Sequence, residues 1–241
     1  MEMNQLNFMD ENGKMLPYEE VEKNLKKIYD AVSEESGCNC GIGVLEAFIR
    51  PETQIEADKA LETFSFLNRA LYLTSEITHE HAIAFSDAIL FWNEMDNMEE
   101  IPIEEREPIK IYINTPGGDL DATFSIIDSI TLSKTPVWTI TVGSGDSGGF
   151  FVGIAGHKRI GYPHSSYLFH EGSCQNGADA HKFLQNAKFY EKRLSLLKSV
   201  VLKHTKLTAD EYKKHRKDDL WLTAQDALKY GIIDEIATEL I

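Results

Sequence analysis

Ser147 stands in the run VGSGDSGGFF (142–151), where an apolar strand pattern ends, a glycine-rich turn follows and a helical pattern begins. Small neighbours let the chain form a strained elbow that lifts a hydroxyl clear of the backbone, as a nucleophilic serine requires. A flexible turn with an incidental serine accounts for the same residues, so this motif does not decide by itself. Thr115-Pro116-Gly117-Gly118 ends a second strand pattern, at the carboxyl end where parallel α/β sheets hold their sites. Amides freed by its glycines would suit an oxyanion, one such donor being worth roughly 3–4 kcal/mol in a transition state. A plain turn ahead of a helix is the alternative. His170 ends a further strand pattern, and Asp219 precedes an apolar triplet and a helix. A partly buried histidine and an exposed carboxylate are the ordinary readings of these two. His79, Glu80 and His81 lack zincin spacing and no closed ligand set is available, so metal-dependent hydrolysis is not expected.

These residues need a scaffold, and its elements can be read in order. Residues 18–33 space Val21, Leu25, Ile28 and Val32 as one face of a short amphipathic helix. A cysteine- and glycine-containing break follows, and residues 1–62 read as an N-terminal appendage to a domain over 63–241. Residues 70–73 form a short buried strand pattern, 79–95 a helix, and the acid-rich insertion 94–107 a solvated loop. Ile109 to Ile113 alternate as a strand, and Leu120, Phe124, Ile127 and Ile130 share a helical face. Residues 137–142 then repeat strand, turn and helix. Two such units in succession imply parallel strands with right-handed crossovers, hence an α/β fold. After a strand ending at His170 comes a long helix, 180–204, with Phe183, Ala187, Tyr190, Leu194, Leu197 and Val201 three or four apart. Thr208 caps a short helix with Glu211 completing the box. A helix over 224–230 and a last apolar strand close the chain.

Charge and cysteine content narrow the function classes. The chain carries 24 Lys+Arg against 39 Asp+Glu in 241 residues, a formal charge of −15. Residues 1–108 hold 24 acids and 8 bases, whereas residues 109–241 hold 15 acids and 16 bases. No basic stripe is available for phosphates, so nucleic acid is not an expected partner. No stretch approaches the roughly 18 apolar residues that span a bilayer, and no signal-peptide pattern opens the chain, so no membrane is expected. The odd set Cys38, Cys40 and Cys174 points to a reducing, cytoplasmic setting.

Taken together, RALYLTSEI (69–77), IKIYINTPGG (109–118), VGSGDSGGFFVGIAG (142–156), YLFH (167–170) and DDLWLTAQDALKYGIID (218–234) resemble the proteolytic subunit of Clp protease, in that family's order and near its spacing. The resemblance implies a crotonase-like β-α superhelix and a serine endopeptidase. It makes Ser147 the nucleophile, His170 the general base, Asp219 the carboxylate that orients His170, and the amides of Gly118 and Gly148 the oxyanion hole. It further implies a homo-oligomer of stacked heptameric rings, an AAA+ unfoldase as partner, unfolded polypeptide as substrate and no metal or organic cofactor, since triad, oxyanion hole and water suffice.

The chain departs from the family pattern at several positions. Asp146 precedes the serine where the family has a small uncharged residue, and Gly148 follows it in place of Met. Glu171-Gly172-Ser173-Cys174 replaces Gln-Pro and a glycine pair after the histidine. Lys217-Asp218 exchanges the signs of an acid-Arg pair, and Lys110 replaces an aromatic of the unfoldase pocket while Tyr112 is kept. A catalytically weak or inactive subunit of a mixed ring is therefore the alternative reading, and a crotonase-type acyl-CoA enzyme, which needs no such triad, is a third.

Overall fold

Ile109, Ile111, Ile113 and Thr115 form the buried face of strand β2 (Ile109–Thr115), as their alternation predicts. The computed structural model describes residues 65–172, 177, 179–216 and 218–241. The helix expected over 18–33, the 1–62 appendage, and Cys38, Cys40, Cys174 and Lys217 lie outside the described residues. The chain divides into units Met1–Asn68 and Arg69–Ile241. Residues 65–67 of the first form a single helical turn, and the elements below belong to the second.

Around β2 lie β1 (Ala70–Leu73), β3 (Val137–Asp146), β4 (Lys158–Gly161) and β7 (Glu235–Ile236), in the spatial order β1-β2-β3-β4-β7, all parallel. β3 serves two neighbours in turn. Its residues Trp138–Thr141 pair with β4, and Ser144, Gly145 and Asp146 pair with β5 (Ser166–Phe169). β6 (Leu220–Thr223) then runs antiparallel to β5. The sheet is thus mostly parallel, as expected, with one antiparallel pair that the pattern of strand, turn and helix did not signal.

Helix α1 (His79–Met98) begins at Thr78, whose side chain accepts from the His81 amide while the Thr78 amide donates to His81 Nδ1. Ala82, Phe85, Ile89 and Trp92 give it a buried face against helix α2 (Leu120–Leu132), which buries Ala122, Thr123, Ile126, Ile127 and Ile130. Asn93 fastens the turn after α2, donating to Ile89 O and Ser133 Oγ while accepting from the amides of Lys134 and Thr135. α1 runs past residue 95, so the first part of the acidic stretch is helical. Asp96 turns inward from it and is fully buried, donated to by Arg69 at 2.5 and 2.9 Å and by Thr135 Oγ1 at 2.6 Å.

Helix α3 (Gly148–Ile154) is almost wholly buried, and its Phe150 and Phe151 meet Phe169 of β5 and Tyr212 of α5 (Ala209–His215) in one aromatic cluster, with ring centroids 5.3 to 6.1 Å apart. Helix α4 (Ala180–His204) buries only Leu197 and Val201, in its second half. Phe183, Leu184 and Phe189 in its first half are exposed. Helix α6 (Ala224–Lys229) leads to β7. Arg159 of β4 ties this end together, donating to Asp234, Gly231 O and His204 O.

Candidate active site

The register of β3 against β5 decides where the chemistry sits. Asp146 lies opposite Leu168, so Ser147 and His170 leave the sheet at the same end of neighbouring parallel strands. Ser147 caps α3 with φ 53° and ψ −116°, a left-handed conformation that costs a non-glycine residue on the order of 1–3 kcal/mol. Neighbouring bonds hold it there. Its amide donates to Leu168 O at 2.9 Å, and its carbonyl accepts from the Phe150 amide at 3.0 Å. The elbow expected from small neighbours is what forms.

Gly117 and Gly118 cannot carry side chains. At Gly117 (φ 95°) a Cβ would stand 2.6 Å from Gly148 N and 2.8 Å from Ser147 Cβ, and at Gly118 one would stand 2.3 Å from Ile77 O. The bridge to Ile77 uses the Gly117 carbonyl (2.7 Å) and the Asp119 amide (2.9 Å), so the Gly118 amide faces away from Ile77. Gly148 is the first residue of α3, where an amide has no intrahelical partner. Thr115 braces this turn, donating from Oγ1 to Ser75 O at 2.5 Å and accepting from the Gly117 amide at 3.1 Å.

Ser147, His170, Gly118 and Gly148 line one cleft of about 570 Å³, closed on its sides by Leu120, Phe151, Leu168, Tyr190 and Leu197. Asp219 is not part of that lining. It precedes β6 and approaches His170 from the side, Oδ1 to Nδ1 3.8 Å, with its carboxylate 58% exposed and the imidazole 30% exposed. That separation is an ion-pair distance, longer than a hydrogen bond. Among the described residues no hydrogen bond joins Ser147 Oγ to His170. The set is brought together but not yet closed. Among the described residues there is no cluster of His, Cys, Asp or Glu able to hold a metal, and no helix long and apolar enough to cross a membrane.

A profile of the Clp protease family matches residues 55–240. The chain belongs to the Clp protease family. Over 132 residues it is 36% identical to ATP-dependent Clp protease proteolytic subunit 2 of Treponema pallidum, covering 54% of this chain and 66% of that protein. Over 171 residues it is 32% identical to ATP-dependent Clp protease proteolytic subunit 2 of Cutibacterium acnes, covering 70% and 77%. The proteolytic subunit of Streptococcus sanguinis is 27% identical over 191 residues, 77% of this chain and 93% of that protein. The α/β fold with its mostly parallel sheet is that of a Clp protease family member, with the crotonase-like arrangement the resemblance implied.

Within this Clp protease fold the departures acquire places. Asp146 is partly buried on β3, and its Oδ1 is enclosed without a hydrogen-bond partner. Burial pushes its pKa up, while bonds from Ser144 and the Leu168 backbone and the charge of His170 pull it back only in part. Glu171 lines the cleft directly after the histidine. Beside it lies the hydroxyl of Tyr212, buried and without a closed hydrogen bond. Burial, and then the Glu171 carboxylate, push that phenol far up. Asp119, also in the lining, went unnoticed in the sequence. The signal was there, an Asp directly ahead of a helical face, and it caps α2 by accepting from the Ala122 amide at 2.8 Å.

Proposed function

We propose that the chain is a serine endopeptidase subunit of the Clp type that hydrolyses unfolded polypeptide in the cytoplasm, inside stacked seven-membered rings fed by an AAA+ unfoldase. The observation that carries the reading is the single cleft lined by the strained Ser147, by His170 and by the turn residues Gly118 and Gly148. His170 takes the Ser147 proton as Oγ attacks the scissile carbonyl, and Asp219 steadies the resulting imidazolium. The amides of Gly118 and Gly148 hold the oxyanion, each worth roughly 3–4 kcal/mol. Collapse of the tetrahedral adduct expels the amine, which receives the proton from His170 and leaves an acyl-Ser147 ester. Water, deprotonated by the same histidine, hydrolyses that ester. The 3.8 Å between His170 and Asp219 and the open Ser147–His170 contact suit a site that tightens on assembly or on substrate.

The exposed apolar first half of α4 supports the oligomer, since Phe183, Leu184 and Phe189 would each gain by burial. The test combines oligomeric mass with fluorophosphonate labelling on one sample. The expected result is a ring-sized assembly carrying an adduct that disappears in Ser147→Ala. An assembly that takes no Ser147-dependent label would sink the peptidase reading and leave the non-catalytic ring subunit.

A further inference from the structure

Resting on the peptidase reading, we propose that the cleft selects substrates bearing a Lys or Arg side chain close to the scissile bond, with Glu171 as the residue that binds it and Asp119 as a second anionic wall. Both carboxylates line the same cleft as Ser147, and no Lys or Arg is among the described residues that line it.

The two acids are not equivalent. Asp119 spends Oδ1 on the α2 cap and has His79 Nε2 at 3.9 Å, with its side chain 46% exposed. Glu171 is only partly exposed and makes no ion pair within 4 Å among the described residues. It directly follows the general base, so a substrate side chain one or two residues from the reacting carbonyl lies within its reach. Tyr212, 1% exposed, places a buried hydroxyl without a hydrogen-bond partner beside Glu171. The charge of Arg216 also acts on Tyr212, and Arg216 itself is exposed.

The rest of the lining matches a long basic side chain too. Leu120, Leu168, Tyr190 and Leu197 offer apolar surface for a methylene stem whose charged tip reaches the carboxylate. A cleft with low-dielectric walls and one sign of charge concentrates the opposite charge and repels its own. An acidic residue at the same place is therefore rejected, and specificity comes from repulsion as well as attraction.

The experiment uses the full chain in its assembled form and three fluorogenic peptides identical except for Arg, Leu or Glu beside the scissile bond. We expect kcat/KM for the Arg peptide to exceed that for the Leu peptide by about tenfold, with the Glu peptide lowest, a range usual for one charged contact in a partly buried site. Glu171→Gln keeps the shape and removes the charge, and should reduce the Arg-to-Leu ratio about tenfold, mostly through KM. Asp119→Asn keeps the helix cap and should reduce the ratio a few-fold. Raising the salt from low to high should narrow the ratio in the wild type only. An Arg-to-Leu ratio near one, or a ratio unchanged by Glu171→Gln, overturns the inference while leaving the peptidase intact. A second readout, binding of the labelled Arg and Leu peptides to Ser147→Ala by fluorescence anisotropy, keeps the two readings separate. If the wild type neither cleaves nor labels, the peptidase reading falls, and equal binding of both peptides then overturns the cleft selectivity as well.

Discussion

Under the peptidase reading, Asp146 is the residue on which activity turns. Its carboxylate stands one position before Ser147, and an enclosed acceptor without a donor costs about 1–3 kcal/mol. If its charge stood about 8 Å from the oxyanion of the proposed reaction, at an effective dielectric near 20, it would add roughly 2 kcal/mol to the barrier, or about thirtyfold in rate. The sign of its pH effect follows from the raised pKa. The native state holds the proton more tightly than the unfolded chain does, so stability falls as pH rises from the ordinary aspartate value through the higher folded one. Asp146→Ala should therefore raise the melting temperature at pH 7, with the charge-dependent part of the gain fading in acid. It should also speed Ser147 labelling by up to about thirtyfold. A variant no faster than wild type would mean that the carboxylate repays its cost by stabilising the His170 imidazolium.

At the scale of elements, the end of α1 carries a stronger constraint than its composition suggests. Asp96 is fully buried between Arg69 and Thr135, with Arg106 nearby donating to Asn97, Thr135 and Ile101 O. Burial alone would push its pKa up. Hydrogen bonds from Arg69 and Thr135 and the charges of Arg69 and Arg106 outweigh that and hold it below the ordinary carboxylate value. The stability so gained is complete above the unfolded pKa and is lost as pH falls through the folded one. Asp96→Ala leaves Arg69 facing a hole and should cost about 3–5 kcal/mol in urea unfolding at pH 7, a gap that shrinks at acid pH. An equal loss at pH 7 and in acid would assign the effect to packing. Nothing local announced this pair, because Arg69 lies 27 positions before Asp96 and the stretch reads as solvated acid. The same limit explains α4, whose six regularly spaced apolar positions mark a face but do not say what covers it. It explains β4 as well. Lys158 and Arg159 hid a strand there, their charges being spent on Glu235, the Trp138 ring and Asp234. The alternation in β2, the faces of α2 and the turn glycines were legible, since each is fixed by residues within one or two turns of chain. Ser147, His170, Gly118 and Gly148 were legible from the local pattern only as separate strand-end and turn residues; the family resemblance grouped them, because the pairing of β3 with β5 that brings them to one cleft is not local.

For the whole molecule, the uneven charge becomes a statement about association. Of the seven acids in 94–107, Asp96 is spent inside, while Glu94, Glu99, Glu100, Glu104, Glu105 and Glu107 are exposed. Their field extends about 8 Å at physiological salt and acts mainly on encounter rates. Lys110 and the stacked pair Tyr72 and Tyr112, 5.1 Å between centroids, lie on the strands that follow Arg69 and this stretch, and Tyr72 is 52% exposed. Under the unfoldase reading, such a chain favours a partner with a basic docking surface. Replacing the six exposed glutamates by Gln, with Asp96 kept so that the fold is not at stake, should slow association with that partner by about tenfold at low salt. The difference should vanish at high salt, where screening already removes the field. Stopped-flow association at two salt concentrations measures this directly. Rates insensitive both to salt and to the six substitutions would mean that the acids serve something other than docking, and would leave the tyrosine pair as the partner's main contact.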